Sequence, residues 1–405
     1  MLLQLITDNK IESEEVLKNR YFLSGKRAAR AILLFGTTAS LSSHNVKRLS
    51  QIMAGNVNWK YLLKLAEHHG VAPLLAYNLD RSDLLNKMPA IYSERLSRNY
   101  AENIHRNIFL SDELTKILSI FNQNGIDVIT LKGTVLGEQL YVNPGLRTTN
   151  DIDILVQPDK VAQASSLLEK MDYSRYILPK KPEHPFHHIY RKKEKIPFIV
   201  ELHWDLHNPK LKVVNREEIW SRARHCQFQG GTTMVLSPED ILVYISTRLL
   251  IHDEKHFKHI VDLNELLKKN KDNLDWDYIV RTGRTLGVTA TIYYALKWAQ
   301  ELLETPVPEP VITKLKPSLT RRCLISWLVC HKILLSPEGW TKINNEIKTL
   351  AHSLMMSRRQ QAFIVIAQYR GYNKRAIWLR TLAWIPLVLG ATVWINTLKL
   401  CSGKS

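Results

Sequence analysis

Apolar residues recur at helical spacing from Trp59 through Leu65 to Leu79, with Gly70 as a break, and the same period returns from Asn103 to Phe121. Residues 1–118 are therefore expected to form a helical region. Gly125 and Asp127 mark a turn, and beyond it the period shortens toward that of strands. Residues 128–131 are a short apolar run ending at Lys132-Gly133, and a helix is expected over 134–141, stopped by Asn143-Pro144-Gly145. A second strand is expected over 152–156, and Pro158 opens a helix reaching about Met171. Two further strands, 187–191 and 198–206, are joined by the charged loop 192–197. After Pro238 the stripes are helical again, over 238–252, 259–269, 276–286 and 289–303, and Pro306 to Pro310 reads as a stiff linker. The expected class is α+β. Its parts are a helical region (1–118), a core containing the strands (119–236), a helical domain packed on it (237–305) and a helical C-terminal region (306–405) with a wholly apolar segment at 382–398.

The chemistry is concentrated in the strands. Side chains on a strand alternate between faces, so in Asn150-Asp-Ile-Asp-Ile-Leu-Val156 the carboxylates of Asp151 and Asp153 share one face while Ile152, Ile154 and Val156 take the other. Two adjacent carboxylates repel, and a divalent cation relieves that cost, with oxygen ligands suiting Mg²⁺. A charged edge strand with solvated aspartates is the plainer alternative. A second alternation, Phe198-Ile-Val-Glu-Leu-His-Trp-Asp-Leu-His207, puts Glu201, His203, Asp205 and His207 on one face of a half-buried strand. Glu201 lies near its centre, where a charge is expensive to bury alone. The third piece is Leu131-Lys-Gly-Thr134 at a strand-to-helix junction. There Gly133 lets a phosphate approach the backbone, the helix amides supply donors, and Thr134 adds a hydroxyl. In this order the pieces suggest phosphoryl-group transfer with two metal ions, Mg²⁺ or Mn²⁺, held by Asp151, Asp153 and Glu201.

Composition adds an anionic partner. The formal net charge is +18, with 45% hydrophobic and 23% charged residues, so the chain is an ordinary folded protein carrying an excess of scattered basic groups. Nucleotide, nucleic acid and an acidic membrane surface all fit that charge. Cys226, Cys323, Cys330 and Cys401 share no metal-ligand spacing and are expected as reduced, mostly buried thiols. The first residues, with Asp8, Glu12, Glu14 and Glu15 behind a short apolar run, do not read as a secretory signal, so a cytoplasmic location is expected. The 382–398 segment has Trp384 and Trp394 near its ends and follows Lys374, Arg375 and Arg380. It fits a short membrane span, an interfacial attachment to the inner membrane face, or a buried helix.

The set Gly133-Thr134, Asp151-Ile-Asp153 and Val200-Glu201-Leu202 resembles the DNA polymerase beta-like nucleotidyltransferase superfamily. More closely, LKGTVLGEQLY, the run from Pro144 through Arg147 to DIDILV, VELHWDL, LSPEDILVYI with a later Asp262, and NWKYLLKLAEHHGVAPLL resemble a bacterial family of largely uncharacterised nucleotidyltransferases. The resemblance spans roughly residues 55–305. It implies a small mixed-sheet nucleotidyltransferase core and transfer of a nucleoside monophosphate from an NTP, ATP by default. The acceptor would be a hydroxyl, expected on a small molecule of polysaccharide or natural-product metabolism. Transfer to RNA or protein and a non-catalytic nucleotide-binding module are the alternatives. The superfamily's glycine is usually followed by serine, where Thr134 stands here. Lys132, Arg147 and His203 are added as nucleotide-binding candidates, each basic or polar and placed beside the acids. Lys132 and Arg147 would equally serve to neutralise those acids. A role for Asp262 stays open between site residue and ion-pair partner. His184, His187, His188, His203 and His207 fit no standard zinc spacing and are expected to line the pocket.

Overall fold

The computed structural model describes residues 25–177, 185–194, 197–206, 215–251, 256–328, 335 and 354–355. The apolar segment 382–398, His184, His207, Cys330 and Cys401 lie outside them. Among the described residues no helix is long and apolar enough to cross a membrane.

Helices α1 (Lys26–Gly36), α2 (Ser43–Met53), α3 (Trp59–His68) and α4 (Ala72–Arg81) open the described chain. Their starts are local chemistry: Ser42 and Asn58 each accept a hydrogen bond from the amide three residues on, satisfying donors that a helix leaves free. Gly70, at φ 65°, makes the break between α3 and α4 that the sequence indicated. Helix α5 (Ala90–Gln123) is 34 residues long and contains the stretch read as helical from Asn103.

The sheet is built next. Strand β1 (Ile129–Thr130) leads into α6 (Gly133–Leu140). Strand β2 (Ile152–Leu155) is followed by a 3₁₀ turn at Pro158–Lys160 and α7 (Val161–Lys170). Then come β3 (Ser174–Arg175), β4 (His187–Lys192), β5 (Phe198–His203), α8 (Arg216–Arg222), β6 (Arg224–Phe228) and β7 (Gly231–Val235). The seven strands lie in the order β3-β4-β5-β2-β1-β7-β6, which puts β2 at the centre. It runs parallel to β5 and antiparallel to β1, and β1 runs parallel to β7, so the sheet is mixed. The β6–β7 hairpin was not anticipated. Its loop, Gln229-Gly230, has positive φ at both positions (50° and 78°), the conformation that matches the twist of a two-residue hairpin.

The two faces of the sheet have different roles. Ile152 and Ile154 of β2, with Val200 and Leu202 of β5, pack under Leu114, Ile117 and Phe121 of α5 and Leu168 of α7. The opposite face carries Asp153, Glu201 and His203. There Ile129 and Leu155 join a second apolar cluster that includes α1, α3, α4 and the last helices. Those helices are α9 (Pro238–Ile251), α10 (His256–Lys269), α11 (Trp276–Leu286), α12 (Thr289–Leu303), α13 (Glu309–Leu315) and α14 (Leu319–Leu328). Leu303, Val307 and Val311 belong to the same cluster, so the proline-rich stretch is packed and does not hang free. Helix α11 is capped by Asp275 and closed by Gly287 at φ 72°. Cys226 and Cys323 are free and half-buried.

Strand β4 is tied to α5 by one buried acid. Glu113, whose side chain is 1% exposed, accepts from the Tyr173 hydroxyl at 3.0 Å and from Lys192 at 3.1 Å, with Lys116 at 3.2 Å. Burial raises its pKa, but the hydrogen bonds from Lys192, Tyr173 and Lys116 outweigh that and hold it below the ordinary value. The stabilisation is complete above the ordinary glutamate pKa and is lost as pH falls toward the lowered one. Glu113→Gln is expected to cost about 1–3 kcal/mol at neutral pH and to flatten the acid limb of stability against pH. Urea unfolding from pH 3 to 7 measures this, and an unchanged acid limb would contradict it.

Candidate active site

Parallel pairing of β2 with β5 sets Asp153 opposite Glu201 and Leu155 opposite His203. Since residues two apart on a strand share a face, three polar side chains from two neighbouring strands meet over the centre of the sheet. His203 Nε2 lies 3.3 Å from Glu201 Oε2 and 3.6 Å from Asp153 Oδ1. Lys132, between β1 and α6, brings its ammonium to 3.1 Å from Asp153 Oδ1 and 3.5 Å from Asp151 Oδ2. Asp151 precedes β2 and is 29% exposed, whereas Asp153 and His203 have wholly buried side chains. Asp153 Oδ1 is thus shared between a lysine on one side and an imidazole on the other.

Electrostatics follow from that crowding. Burial lowers the Lys132 pKa, yet Asp153, Asp151 and Glu201 together outweigh it and keep the ammonium charged. Burial raises the Glu201 pKa, but the His203 hydrogen bond and the Lys132 charge bring it down to about 2, so Glu201 rests as the carboxylate. Neither oxygen of Asp153 takes part in a hydrogen bond among the described residues; the Lys132 ammonium is the charged group paired with it, with the His203 ring further off at 3.6 Å. Asp153, Glu201 and His203 each offer a ligand atom, and these atoms lie within 4.8 Å of one another. A buried carboxylate without hydrogen bonds, beside a second acid and an imidazole, fits a divalent cation. Asp151, on the Lys132 side of Asp153, would complete an oxygen-rich position there.

The turn bearing Lys132 is fixed from behind. Gly133 opens α6 at φ 76°, a conformation side-chain-bearing residues rarely adopt. A Cβ there would meet only ordinary contacts, 3.6 Å from the Asp151 carbonyl and from Thr149 Cγ2, so the demand for glycine is conformational. Arg147 donates from one Nη to the Gly133 carbonyl at 3.2 Å. Its Nε and other Nη grip Asp262 of α10 at 3.0 Å each, with the arginine 3% exposed and the aspartate fully buried. Tyr141 donates to the same aspartate at 2.8 Å, and Asn103 and Asn107 of α5 hold the Arg147 carbonyl. The Arg147 side chain is therefore engaged with Asp262 and the glycine turn, and Asp262 is a buried ion-pair partner.

The sequence candidates are distributed accordingly. Gly133, Lys132, Asp151, Asp153, Glu201 and His203 come together, and Thr134 is buried in the first turn of α6. His187 stacks on His203, with ring centres 4.6 Å apart, while His188 lies against Trp204. Asp205, expected on the face of Glu201, follows the end of β5 and pairs with Arg216 at 3.0 Å. One neighbour escaped the sequence reading. Tyr244 of α9 is buried, and its phenol is pushed up, first by burial and then by the charges of Asp153 and Glu201, against the pull of Arg248, which donates to it at 3.0 Å. Nothing in the stripe of α9 set Tyr244 apart from a core residue.

Residues 55–304 match the family described as uncharacterised nucleotidyltransferases, and the chain belongs to that family. It is a nucleotidyltransferase. No curated protein matches its sequence. The similar solved structures include two nucleotidyltransferase-type proteins. A lincosamide antibiotic adenylyltransferase, LnuA, with lincomycin bound, is 18% identical over 38% of this chain and 94% of its own, with a TM-score of 0.28. An antigenic nucleotidyltransferase-like protein from Paracoccidioides brasiliensis is 15% identical over 50% of this chain and 97% of its own, with a TM-score of 0.33.

Two stability outcomes follow from the turn. Asp262→Ala leaves the Arg147 charge buried without its partner and is expected to cost about 3–5 kcal/mol. Gly133→Ala forces a left-handed alanine and is expected to cost about 1–2 kcal/mol. Chemical denaturation measures both; a neutral Asp262→Ala would show that the ion pair does not hold the turn.

Proposed function

We propose that the chain transfers a nucleoside monophosphate from an NTP to a hydroxyl acceptor on a small molecule and releases pyrophosphate. The carrying observation is the buried Asp153 carboxylate, central in the sheet, flanked by Lys132 and Glu201 and adjoining the left-handed Gly133 turn. Asp151, Asp153 and Glu201 would hold divalent metal ions, Mg²⁺ or Mn²⁺. Such ions, when bound, neutralise the triphosphate and acidify the acceptor hydroxyl. The amides opening α6 after Gly133, with the Thr134 hydroxyl, cradle the phosphates. Lys132, already charged and between two acids, turns its ammonium to the phosphate oxygens as they arrive. Glu201, a carboxylate at rest and partly open to solvent, orients the acceptor and takes its proton. The acceptor oxygen bonds to the α-phosphorus as the bond to the β-phosphate bridging oxygen breaks. Arg147 serves by keeping the Gly133 turn in shape. ATP is the default donor, and the family resemblance supports an acceptor from polysaccharide or natural-product metabolism.

The net charge of +18 favours one second reading, transfer to RNA. Pyrophosphate release with each of the four NTPs, Mg²⁺ and panels of small hydroxyl compounds or RNA tests both. Asp153→Asn and Glu201→Gln are expected to lower the rate by about 100-fold or more with the fold retained. Full activity in either variant would sink the assignment. Turnover only with RNA, sensitive to salt, would establish the second reading.

A further inference from the structure

We infer that His203 is a metal ligand, and that the position formed by Asp153, Glu201 and His203 selects Mn²⁺ over Mg²⁺. The inference rests on the nucleotidyltransferase reading above and deepens it, because an all-carboxylate set of Asp151, Asp153 and Glu201 lacks the nitrogen donor that strengthens a preference for Mn²⁺.

Three observations carry it. The first is aim. Nε2 of His203 faces two acid oxygens at once, Glu201 Oε2 at 3.3 Å and Asp153 Oδ1 at 3.6 Å. The second distance is too long for a hydrogen bond. Both are close to the spacing of about 3 Å between neighbouring donors around one ion bound at about 2.2 Å. The second observation is rigidity. The imidazole is fully buried, its ring centre 4.6 Å from that of His187 and 6.0 Å from that of Phe186, so it cannot swing clear of the acids. Nδ1 has no hydrogen-bond partner among the described residues, and a proton placed there leaves the Nε2 lone pair directed between the carboxylates.

The third observation is the balance of charge around Asp153. Lys132 and His203 Nε2 approach the same Asp153 Oδ1, at 3.1 and 3.6 Å, so one ammonium faces the carboxylates of Asp151, Asp153 and Glu201 together. Asp153 brings two oxygens that accept no hydrogen bond, and it is 3% exposed. A divalent ion held beside His203 therefore supplies positive charge that one ammonium does not, to a buried carboxylate whose oxygens accept no hydrogen bond. Mg²⁺ prefers oxygen donors and holds its water, whereas Mn²⁺ accepts an imidazole beside carboxylates and follows a less demanding geometry. A mixed set of two oxygens and one nitrogen thus favours Mn²⁺.

The test uses the full-length, metal-free chain. Electron paramagnetic resonance follows bound Mn²⁺, and competition with Mg²⁺ gives the ratio of affinities. The wild type is expected to bind Mn²⁺ at least about tenfold more tightly than Mg²⁺. His203→Asn, which places an oxygen where the nitrogen was, is expected to lose most of that preference while keeping its affinity for Mg²⁺ within a few-fold. His203→Gln, of longer reach, is the second variant should the first fail to fold. An affinity ratio near one in the wild type, or a ratio unchanged in a folded variant, overturns the inference. Pyrophosphate release by the wild type in Mg²⁺ is measured in parallel. Release with a ratio near one leaves the nucleotidyltransferase reading standing and removes only the role of His203. No release in either metal counts against the reading itself.

Discussion

A buried carboxylate on the central strand of a sheet is the constraint around which this molecule is arranged. Asp153 is 3% exposed and takes part in no hydrogen bond among the described residues. An isolated buried ion costs several kcal/mol, so the surrounding structure must supply positive charge. Lys132 supplies it from β1's end, and β5 brings Glu201 and His203 alongside through a register fixed by four paired positions. The apolar residues of the same strands face the other way, under α5 and α7. Shifting β2 by one residue would bury Ile152 among acids and push Asp153 into the hydrophobic layer. The core therefore enforces the site's geometry.

The glycine turn depends on the same logic at longer range. Lys132 reaches the acids because Gly133 adopts a left-handed backbone, and the Gly133 carbonyl is gripped by Arg147. Arg147 in turn is held by Asp262, 115 residues further along, and by Asn103 and Asn107 of α5. The flanking helices thus fix the position of the Lys132–Gly133 turn as well as supplying apolar cover. The buried Arg147–Asp262 ion pair joins the β1–α6 turn to α10.

The carboxylates were legible because strand alternation is a local property. Asp151-Ile-Asp153 and Glu201-Leu-His203 announce a shared face without any knowledge of the fold. The helices over Trp276–Leu286 and Thr289–Leu303 were equally plain, since their stripes and their stop at Gly287 are local too. Arg147 was read as a neighbour of the acids, whereas its partner is set by tertiary contact with Asp262, which no spacing reveals. Asp205 was misplaced because alternation says nothing about where a strand ends. The β6–β7 hairpin, marked only by Gly230-Gly231 between weakly alternating runs, was overlooked although β7 supplies the neighbour of β1. Tyr244 lies beside the charges on a helix whose apolar stripe conceals it.

The central claim is that the acids around Asp153 bind a metal-loaded nucleotide. The most direct measurement is the thermal stability of the wild type and of Asp151→Asn/Asp153→Asn with each NTP, with and without divalent metal. A ligand that binds only the folded state at 100 times its Kd adds about 2.7 kcal/mol of stability. The account predicts a metal-dependent rise in melting temperature with at least one NTP in the wild type and none in the folded double variant. An equal rise in both proteins, or none with any NTP and metal in the wild type, would contradict it.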